Sequence, residues 1–148
     1  HASVHVFSAA TMPALPFDPI ADFAHMMMLV EAPNILLVRA QSPFRTLDQY
    51  IVAARTRPVR YGSSGIGSAP HLLGAMLTAE GRAAQLDHVP YRGSAPAMQD
   101  LLANQIESMI DPITTNVQQM KDGSLRALAV SSPGRLPAFP EVPTFAEL

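Results

Sequence analysis

The chain has 148 residues, of which 48% are hydrophobic and 15% charged, with a formal net charge of −2 and no cysteine. This composition is typical of a folded α/β protein with one ordinary core, not of a disordered chain. It argues against a nucleic-acid partner, since the basic residues are few and scattered, and against membrane insertion, since no apolar run reaches roughly 18 residues. Without cysteine there is neither thiol catalysis nor a thiolate metal site.

Taken in chain order, the opening of the sequence is irregular. Several prolines interrupt residues 1–22, and a proline removes a backbone donor and restricts the chain. Residues 23–30 predict a strand, residues 31–33 a hinge, and residues 34–39 a clearer strand. The chain begins at His1 instead of a methionine, so we expect a processed or trimmed product.

From residue 46 onward, strand and helix patterns alternate. Thr46 and Gln49 form a capping box at the start of a helix, and Pro58 stops that helix. Further strands are predicted at residues 59–61, 86–90, 106–110 and 125–130. Further helices are expected to begin with Ser68 as N-cap, with Ser94 as N-cap, and with Thr114 or Thr115 as N-cap. This alternation predicts an α/β fold with a mostly parallel sheet and helices on both faces.

The segment Tyr61–Pro70 reads YGSSGIGSAP and contains no charged residue. A loop of small residues that leads into a capped helix brings free N–H groups and the positive end of the helix dipole together, which favours an anion. The pattern Gly67–Pro70 is repeated at Gly93–Pro96, which suggests one ligand cradle built twice. Both loops follow parallel strands, so they should lie at the carboxyl edge of the sheet, where such sheets bind ligands.

Familiar cofactor motifs do not fit this loop. A P-loop needs a lysine that is absent here, and a dinucleotide fingerprint needs a glycine where Pro70 stands. His71 and His88 lack further ligands at metal-binding spacing, so we expect neither a metal nor a cofactor. We interpret His71 as a donor to the loop or to a ligand, and His88 as a hydrogen-bonded histidine in a strand.

The same loop also resembles a nucleophile elbow, although its final glycine is missing. His88 and Asp111 are available as partners, so a small hydrolase-like enzyme that uses Ser63 or Ser64 remains the alternative. We favour a structural use of these hydroxyls, because a catalytic triad is defined by geometry and not by proximity in sequence. With Arg92 next to a helix start, the edge is better suited to recognise a carboxylate than to transform one.

Several segments together resemble the Bug family, the TctC-like periplasmic solute-binding proteins of tripartite tricarboxylate transporters. They are YGSSG-x-GS-x-PHL at 61–72, HVPYRGSAPA at 88–97, Asp111, LRALAVS at 125–131 and PEVPT at 140–144. The resemblance implies one lobe of a type II periplasmic-binding-protein (Venus-flytrap) fold that is not an enzyme. It also implies a periplasmic location, a small carboxylate ligand and a membrane permease as partner.

Carried over by motif, the resemblance implies a set of ligand-binding residues. They are Ser63, Ser64, Gly65, Gly67, Ser68, His71, Tyr91, Arg92, Gly93, Ser94 and Asp111. It divides the chain into a first-lobe remnant with a hinge strand at 1–33, a second lobe at 34–131 and a return segment toward the first lobe at 132–148. We expect the first-lobe remnants to expose apolar surface, which favours self-association.

Overall fold

The computed structural model describes residues 14–24, 26–27, 30–83 and 85–147. Its strands are β1 (Asn34–Arg39), β2 (Val59–Ser63), β3 (Leu86–Pro90), β4 (Ser108–Pro112) and β5 (Leu125–Val130). Its helices are α1 (Leu47–Thr56), α2 (Ala69–Ala79), α3 (Ser94–Leu102) and α4 (Val117–Lys121), with short 3-10 turns at Ile113–Thr115 and Phe145–Glu147. β1, β3 and β5 have the predicted bounds, whereas β4 begins two residues later than predicted.

The five strands form one sheet in the order β3-β2-β4-β1-β5. β2 is parallel to both β3 and β4, whereas β1 is antiparallel to both β4 and β5. Four strands therefore run in one direction, which confirms the predicted mostly parallel sheet. The reversed direction of β1 was not predicted. The alternation of strands and helices along the sequence does not indicate at which edge of the sheet α1 returns the chain, and so it does not give the direction of β1 relative to β2.

Helices cover both faces of the sheet, as predicted. Tyr50 and Ala54 of α1 and Leu77 of α2 belong to one apolar cluster, while Ala97 and Leu101 of α3 belong to the other. β1 contributes alternate residues to the two clusters, and its four central side chains are at most 1% exposed. A strand buried on both faces has a continuous apolar run, and the run Ile35–Val38 within β1 (NILLVR) therefore predicts this strand from residue types alone.

The N-caps of α1 and α2 are the predicted ones. The Thr46 hydroxyl accepts a hydrogen bond from the Gln49 amide at 3.3 Å, and the Ser68 hydroxyl accepts one from the His71 amide at 3.3 Å. Past the end of α2, Gly81 has a φ of 68°, the left-handed conformation that favours glycine after a helix.

The predicted caps of α3 and α4 are wrong. The N-cap of α3 is Gly93, which has no side chain to cap with, and Ser94 is the first helical residue. The N-cap position of α4 is taken by Asn116, without a side-chain capping bond. In both places the hydroxyl groups that were expected to cap, those of Ser94 and Thr115, donate to the buried carboxylate of Asp111 instead.

Residues 14–33 precede the sheet and contain no strand or helix in their described part. The strand predicted at 23–30 is not formed by its described residues, and His25, Met28 and Leu29 lie outside them. Large apolar side chains are exposed here, as expected; the most exposed are Ile20, Met26, Met27 and Val30.

The segment after β5 packs on the sheet. Leu136, Phe139 and Val142 join the apolar cluster on the α3 face, and the Val130 amide donates to the Pro143 carbonyl at 2.9 Å. Phe145 packs against the opposite cluster. In this structure residues 136–145 therefore complete the core of the same lobe. No helix in the described part of the chain has the length and apolar character that crossing a bilayer requires.

The two ends of the central region lie side by side. The Asn34 amide donates to the Ser131 hydroxyl at 2.9 Å, and the Ser131 amide donates to the Asn34 carbonyl at 2.8 Å. The chain therefore enters and leaves residues 34–131 at one place. The boundaries at 33 and 131, and the assignment of the flanking segments to another lobe, stay predictions.

Candidate functional site

The carboxyl ends of β2, β3 and β4 lie at the same edge of the sheet, because these strands are parallel neighbours. Ser63, the last residue of β2, pairs with Pro90, the last residue of β3. The loop after β2 and the loop after β3 therefore stand next to each other, and each leads into the N-terminus of a helix. Asp111, near the end of β4, lies at this edge as well.

The loop between β2 and α2 (residues 63–68, the glycine-serine loop) is held by its own hydroxyl groups. Ser63 is fully buried; its Oγ lies 2.6 Å from Nε2 of His88 and accepts from the Gly65 amide at 3.2 Å. The Ser68 hydroxyl donates to the Gly65 carbonyl at 2.7 Å. Gly65 and Gly67 have φ values of 136° and 76°, which glycine adopts without steric cost.

This folding leaves free donors on the outside of the loop. Within the described part of the chain, the amides of Ser64, Ile66 and Ala69 and the hydroxyl of Ser64 have no hydrogen-bond partner. The first turn of α2 contains no acidic residue. Free N–H groups at the positive end of an 11-residue helix form a favourable environment for an anion.

The corner between β3 and α3 adds a positive charge. Arg92 is exposed, and its guanidinium forms no hydrogen bond or ion pair with the described residues. Gly93, with a φ of 107°, turns the chain into α3, whose first turn also lacks an acidic residue. Arg92 and the start of α3 therefore also provide a favourable environment for an anion.

Two predicted site residues direct their side chains into the protein. Asp111 has no exposed surface and accepts hydrogen bonds from Ser94 at 2.6 Å, Thr115 at 2.5 Å and Asn116 at 2.8 Å. The hydroxyl of Tyr91 donates to Asp100 at 2.7 Å. Burial, assisted by the Asp100 carboxylate, raises the pKa of Tyr91 to about 12. Both side chains thus fix the corner around α3 and offer no free polar atom to a ligand.

His71 and His88, far apart in sequence, stack on each other with ring centroids 4.1 Å apart. Nδ1 of His71 accepts from the Gly67 amide at 3.1 Å, and the Tyr61 hydroxyl donates to the His71 carbonyl at 3.1 Å. Burial, with a smaller effect of His71, lowers the pKa of His88 to about 4. Sequence reasoning missed this contact: the register of β2 and β3 places His88 next to Tyr61, and no local pattern indicates that His71 of α2 reaches His88.

The geometry does not assemble a hydrolase. Ser63 is fully buried, and burial lowers the pKa of its neighbour His88 to about 4, which makes this imidazole a weak general base near neutral pH. Asp111 is bonded to other partners and does not orient His88. The Ser64 hydroxyl has no imidazole within hydrogen-bonding distance in the described residues. Nor do those residues contain a cluster of three histidine or carboxylate groups that could hold a metal ion.

Comparison with known proteins identifies the family. The family described as "Tripartite tricarboxylate transporter family receptor" (TctC) matches residues 2–148, nearly the whole chain. The chain belongs to this family. TctC proteins are periplasmic solute-binding receptors and not enzymes, which agrees with the resemblance drawn from the sequence motifs.

The curated relatives are longer than this chain. It is 41% identical to the UPF0065 protein in the tcbD-tcbE intergenic region of Pseudomonas sp. (strain P51), over 91% of this chain and 40% of that protein. It is 33% identical to Protein BugT of Bordetella pertussis, over 93% of this chain and 42% of that protein. The TctC-family chain therefore spans about two fifths of the length of these relatives.

Solved structures confirm the fold. MatC from Rhodopseudomonas palustris, with bound malate, matches with a TM-score of 0.80 and 28% identity over 99% of this chain and 50% of that one. Rpa4515 of R. palustris, with adipate, matches with a TM-score of 0.79 and 33% identity over 91% of this chain and 46% of that one. The lobe is therefore of the type found in periplasmic binding proteins.

Proposed function

We propose that this TctC-family chain forms the carboxylate-binding lobe of a periplasmic receptor that delivers a small solute to a tripartite transporter. The observation that carries the proposal is the pair of adjacent loops, each opening into a helix N-terminus without acidic residues. Free amides on one loop and a free guanidinium on the other suit a carboxylate, which accepts several hydrogen bonds at once.

The proposed contacts divide the predicted residues into two groups. Residues with free groups contact the solute: the amide and hydroxyl of Ser64, the guanidinium of Arg92, and the amides around Gly65, Gly67 and Gly93. The other predicted residues shape the loops, since at least one polar side-chain atom of each, Nδ1 in the case of His71, is hydrogen-bonded within the protein; they are Ser63, Ser68, His71, Tyr91, Ser94 and Asp111.

The ligands of the two solved relatives support a dicarboxylate as the class of solute. Malate and adipate share carboxylate groups and differ in chain length and hydroxylation. One carboxylate of such a solute suits the edge described above, since Arg92 is the unpaired cation there. The rest of the solute would then lie toward the exposed side of the loop, where Ile66 is 80% exposed.

We further propose that the permease of the transporter receives the solute, and that copies of the isolated chain associate. Support for association comes from the large apolar side chains of Ile20, Met26, Met27 and Val30 before β1, each at least 75% exposed. Exposed apolar surface favours contact with another protein surface.

Calorimetric titration of the chain with malate, adipate and citrate tests the proposal. We expect saturable heat with at least one of them, no turnover, and a rise in melting temperature through mass action. Arg92→Gln should weaken binding about tenfold, the loss of roughly 1.4 kcal/mol. Arg45→Gln is the matched control, because Arg45 is also exposed and precedes α1, far from this edge in the sheet. Equal affinity of the two variants, or no heat with any acid at millimolar concentration, would contradict the proposal.

A further inference from the structure

The stacked histidines connect the glycine-serine loop to the sheet through two separate hydrogen bonds. His71 accepts directly from the Gly67 amide at 3.1 Å. His88 lies 2.6 Å from Ser63 Oγ, and this oxygen in turn accepts from the Gly65 amide at 3.2 Å. The amides that donate to Ser63 and His71 therefore belong to Gly65 and Gly67, the two glycines of the loop with positive φ.

Tyr61 of β2 contacts both histidines. Its ring lies 5.0 Å from the His88 ring, and its hydroxyl donates to the His71 carbonyl. The order Tyr61, His88, His71, Gly67 therefore runs from the buried sheet to the loop. The amides of Gly65 and Gly67 are engaged by these partners, whereas the amides of Ser64, just before Gly65, and of Ile66, between the two glycines, have no partner among the described residues.

The bond from Gly67 requires an unprotonated Nδ1 on His71. A protonated imidazole has two N–H donors and no acceptor, so protonation at Nδ1 removes the partner of the Gly67 amide. It also places a positive charge 4.1 Å from a second imidazole. Histidine is the side chain that ordinarily changes charge between pH 5 and 8.

We infer that the stacked pair of His71 and His88 is a proton-sensitive clamp on the glycine-serine loop: neutral imidazoles hold the loop amides in place, and protonation of His71 releases Gly67. Both histidines are positioning residues and do not contact the solute. The consequence for solute affinity rests on the proposed function, whereas the clamp itself does not.

No opposite charge compensates a proton on this pair. Neither imidazole forms an ion pair with a carboxylate in the described residues, and the first turn of α2 is free of acids. The titratable groups that face the pair are Tyr61 from β2 and the two imidazoles themselves. Asp87, next to His88 in β3, points to the opposite face of the strand. For His88, burial and, to a smaller extent, the neighbouring His71 oppose protonation and lower the pKa.

A ligand-free NMR experiment tests the clamp in the full 148-residue chain. At pH 8 we expect a scalar coupling across the hydrogen bond between the Gly67 amide nitrogen and Nδ1 of His71, and its loss at pH 5.5. The amide signals of Gly67, Ser64 and Ile66 should move with one midpoint. Gly123 is the matched control: its φ is 77°, like that of Gly67, and it lies in a different turn. No coupling at pH 8, or loop signals that do not titrate, would overturn the clamp.

Two variants separate positioning from solute contact. His71→Asn puts an amide oxygen where Nδ1 lies, while His71→Gln puts one nearer to Nε2. With adipate and malate as probes, we expect wild-type affinity to fall about fivefold from pH 8 to pH 5.5. His71→Asn should bind within about threefold of the wild type at pH 8 and lose the part of the pH dependence that exceeds protonation of the acid itself, whereas His71→Gln should bind about tenfold more weakly.

The opposite ranking of these variants would show that His71 contacts the solute through Nε2, and would overturn its positioning role. If neither probe binds, the proposed function fails for these solutes. The NMR experiment then still decides the clamp, since it needs no ligand.

Discussion

The Ser94 hydroxyl donates a 2.6 Å hydrogen bond to Oδ1 of Asp111, a carboxylate without exposed surface. Thr115 and Asn116 donate to its other oxygen. This one side chain thereby joins the start of α3 to the end of β4 and to the turn that precedes α4. A buried carboxylate with three donors is a structural anchor, because removing it leaves the Ser94 hydroxyl without a partner and leaves Thr115 and Asn116 only their bonds within the turn, chiefly to the Pro112 carbonyl.

Asp111→Ala should accordingly lower the free energy of unfolding by about 3 kcal/mol. Urea denaturation followed by circular dichroism measures this. Thr114→Ala, an exposed neighbour in the same turn, should change stability by less than about 0.5 kcal/mol. If both variants unfold at the wild-type urea concentration, Asp111 does not anchor the corner.

Ser68 and Ser94 occupy the same place in the repeated Gly-Ser-Ala-Pro pattern and should respond differently to aspartate. Ser68→Asp keeps an N-cap acceptor and loses only the bond to the Gly65 carbonyl, a cost of about 1 kcal/mol. Ser94→Asp sets a second carboxylate against Asp111, at a cost of about 3 kcal/mol. The melting temperatures of the two variants give the comparison, and equal losses would refute it.

Gly74→Ala should destabilise the chain by about 1–3 kcal/mol through overpacking, although alanine is the better helix former. A Cβ at this position of α2 would lie 2.3 Å from the Tyr61 ring. Gly134→Ala is the control, since it meets no atom within 4 Å and has no left-handed φ. Thermal unfolding of the two variants gives the comparison. A higher melting temperature for Gly74→Ala would mean that the Tyr61 ring moves aside without cost.

The low pKa of His88 predicts how stability depends on pH. Its folded value of about 4 lies below the ordinary histidine value of about 6.5, so the unfolded chain takes up this proton first as the pH falls. The stability linked to His88 is fully present above pH 6.5 and is lost progressively toward pH 4. His88→Gln should flatten this part of the profile, measured by urea unfolding between pH 7.5 and 4.5. An unchanged slope would assign the loss to other groups.

Self-association should depend on the exposed apolar side chains before β1. Replacing Met26, Met27 and Val30 by serine together should shift the chain toward monomer in sedimentation velocity, because it removes exposed apolar surface. Replacing Val52 and Leu102, which are also exposed but lie on separate helices, should leave the distribution unchanged. If both variants give the same distribution between monomer and associated species, these side chains do not form the contact between copies.

Local signals were sufficient for most of the fold. Caps such as Thr46 and Ser68, and apolar runs such as Leu125–Val130, depend on neighbours in sequence, and they occur where predicted. The reversal of β1 depends on strands made some 70 residues later along the chain, so no local pattern encodes it.

The sequence predicts which loops form the candidate site. It does not predict in which direction the side chains of these loops point. The motif that surrounds Ser94 suggested a cap, yet Asp111 competes for the same hydroxyl from another strand. The stack of His71 on His88 likewise requires the register of two strands. Contacts between residues distant in sequence decide which groups remain free for a ligand.

The position of β1 in the middle of the sheet has a consequence for how the protein folds. This strand is the first of the five to be synthesised, yet its two partners, β4 and β5, are made last. Pairings across such long stretches of chain are slow to form, because the intervening loop must be closed before any contact is gained. The apolar strand β1 therefore stays unpaired until residues 108–130 have been synthesised. A chaperone that binds Ile35–Val38 during that interval should raise the yield of folded protein.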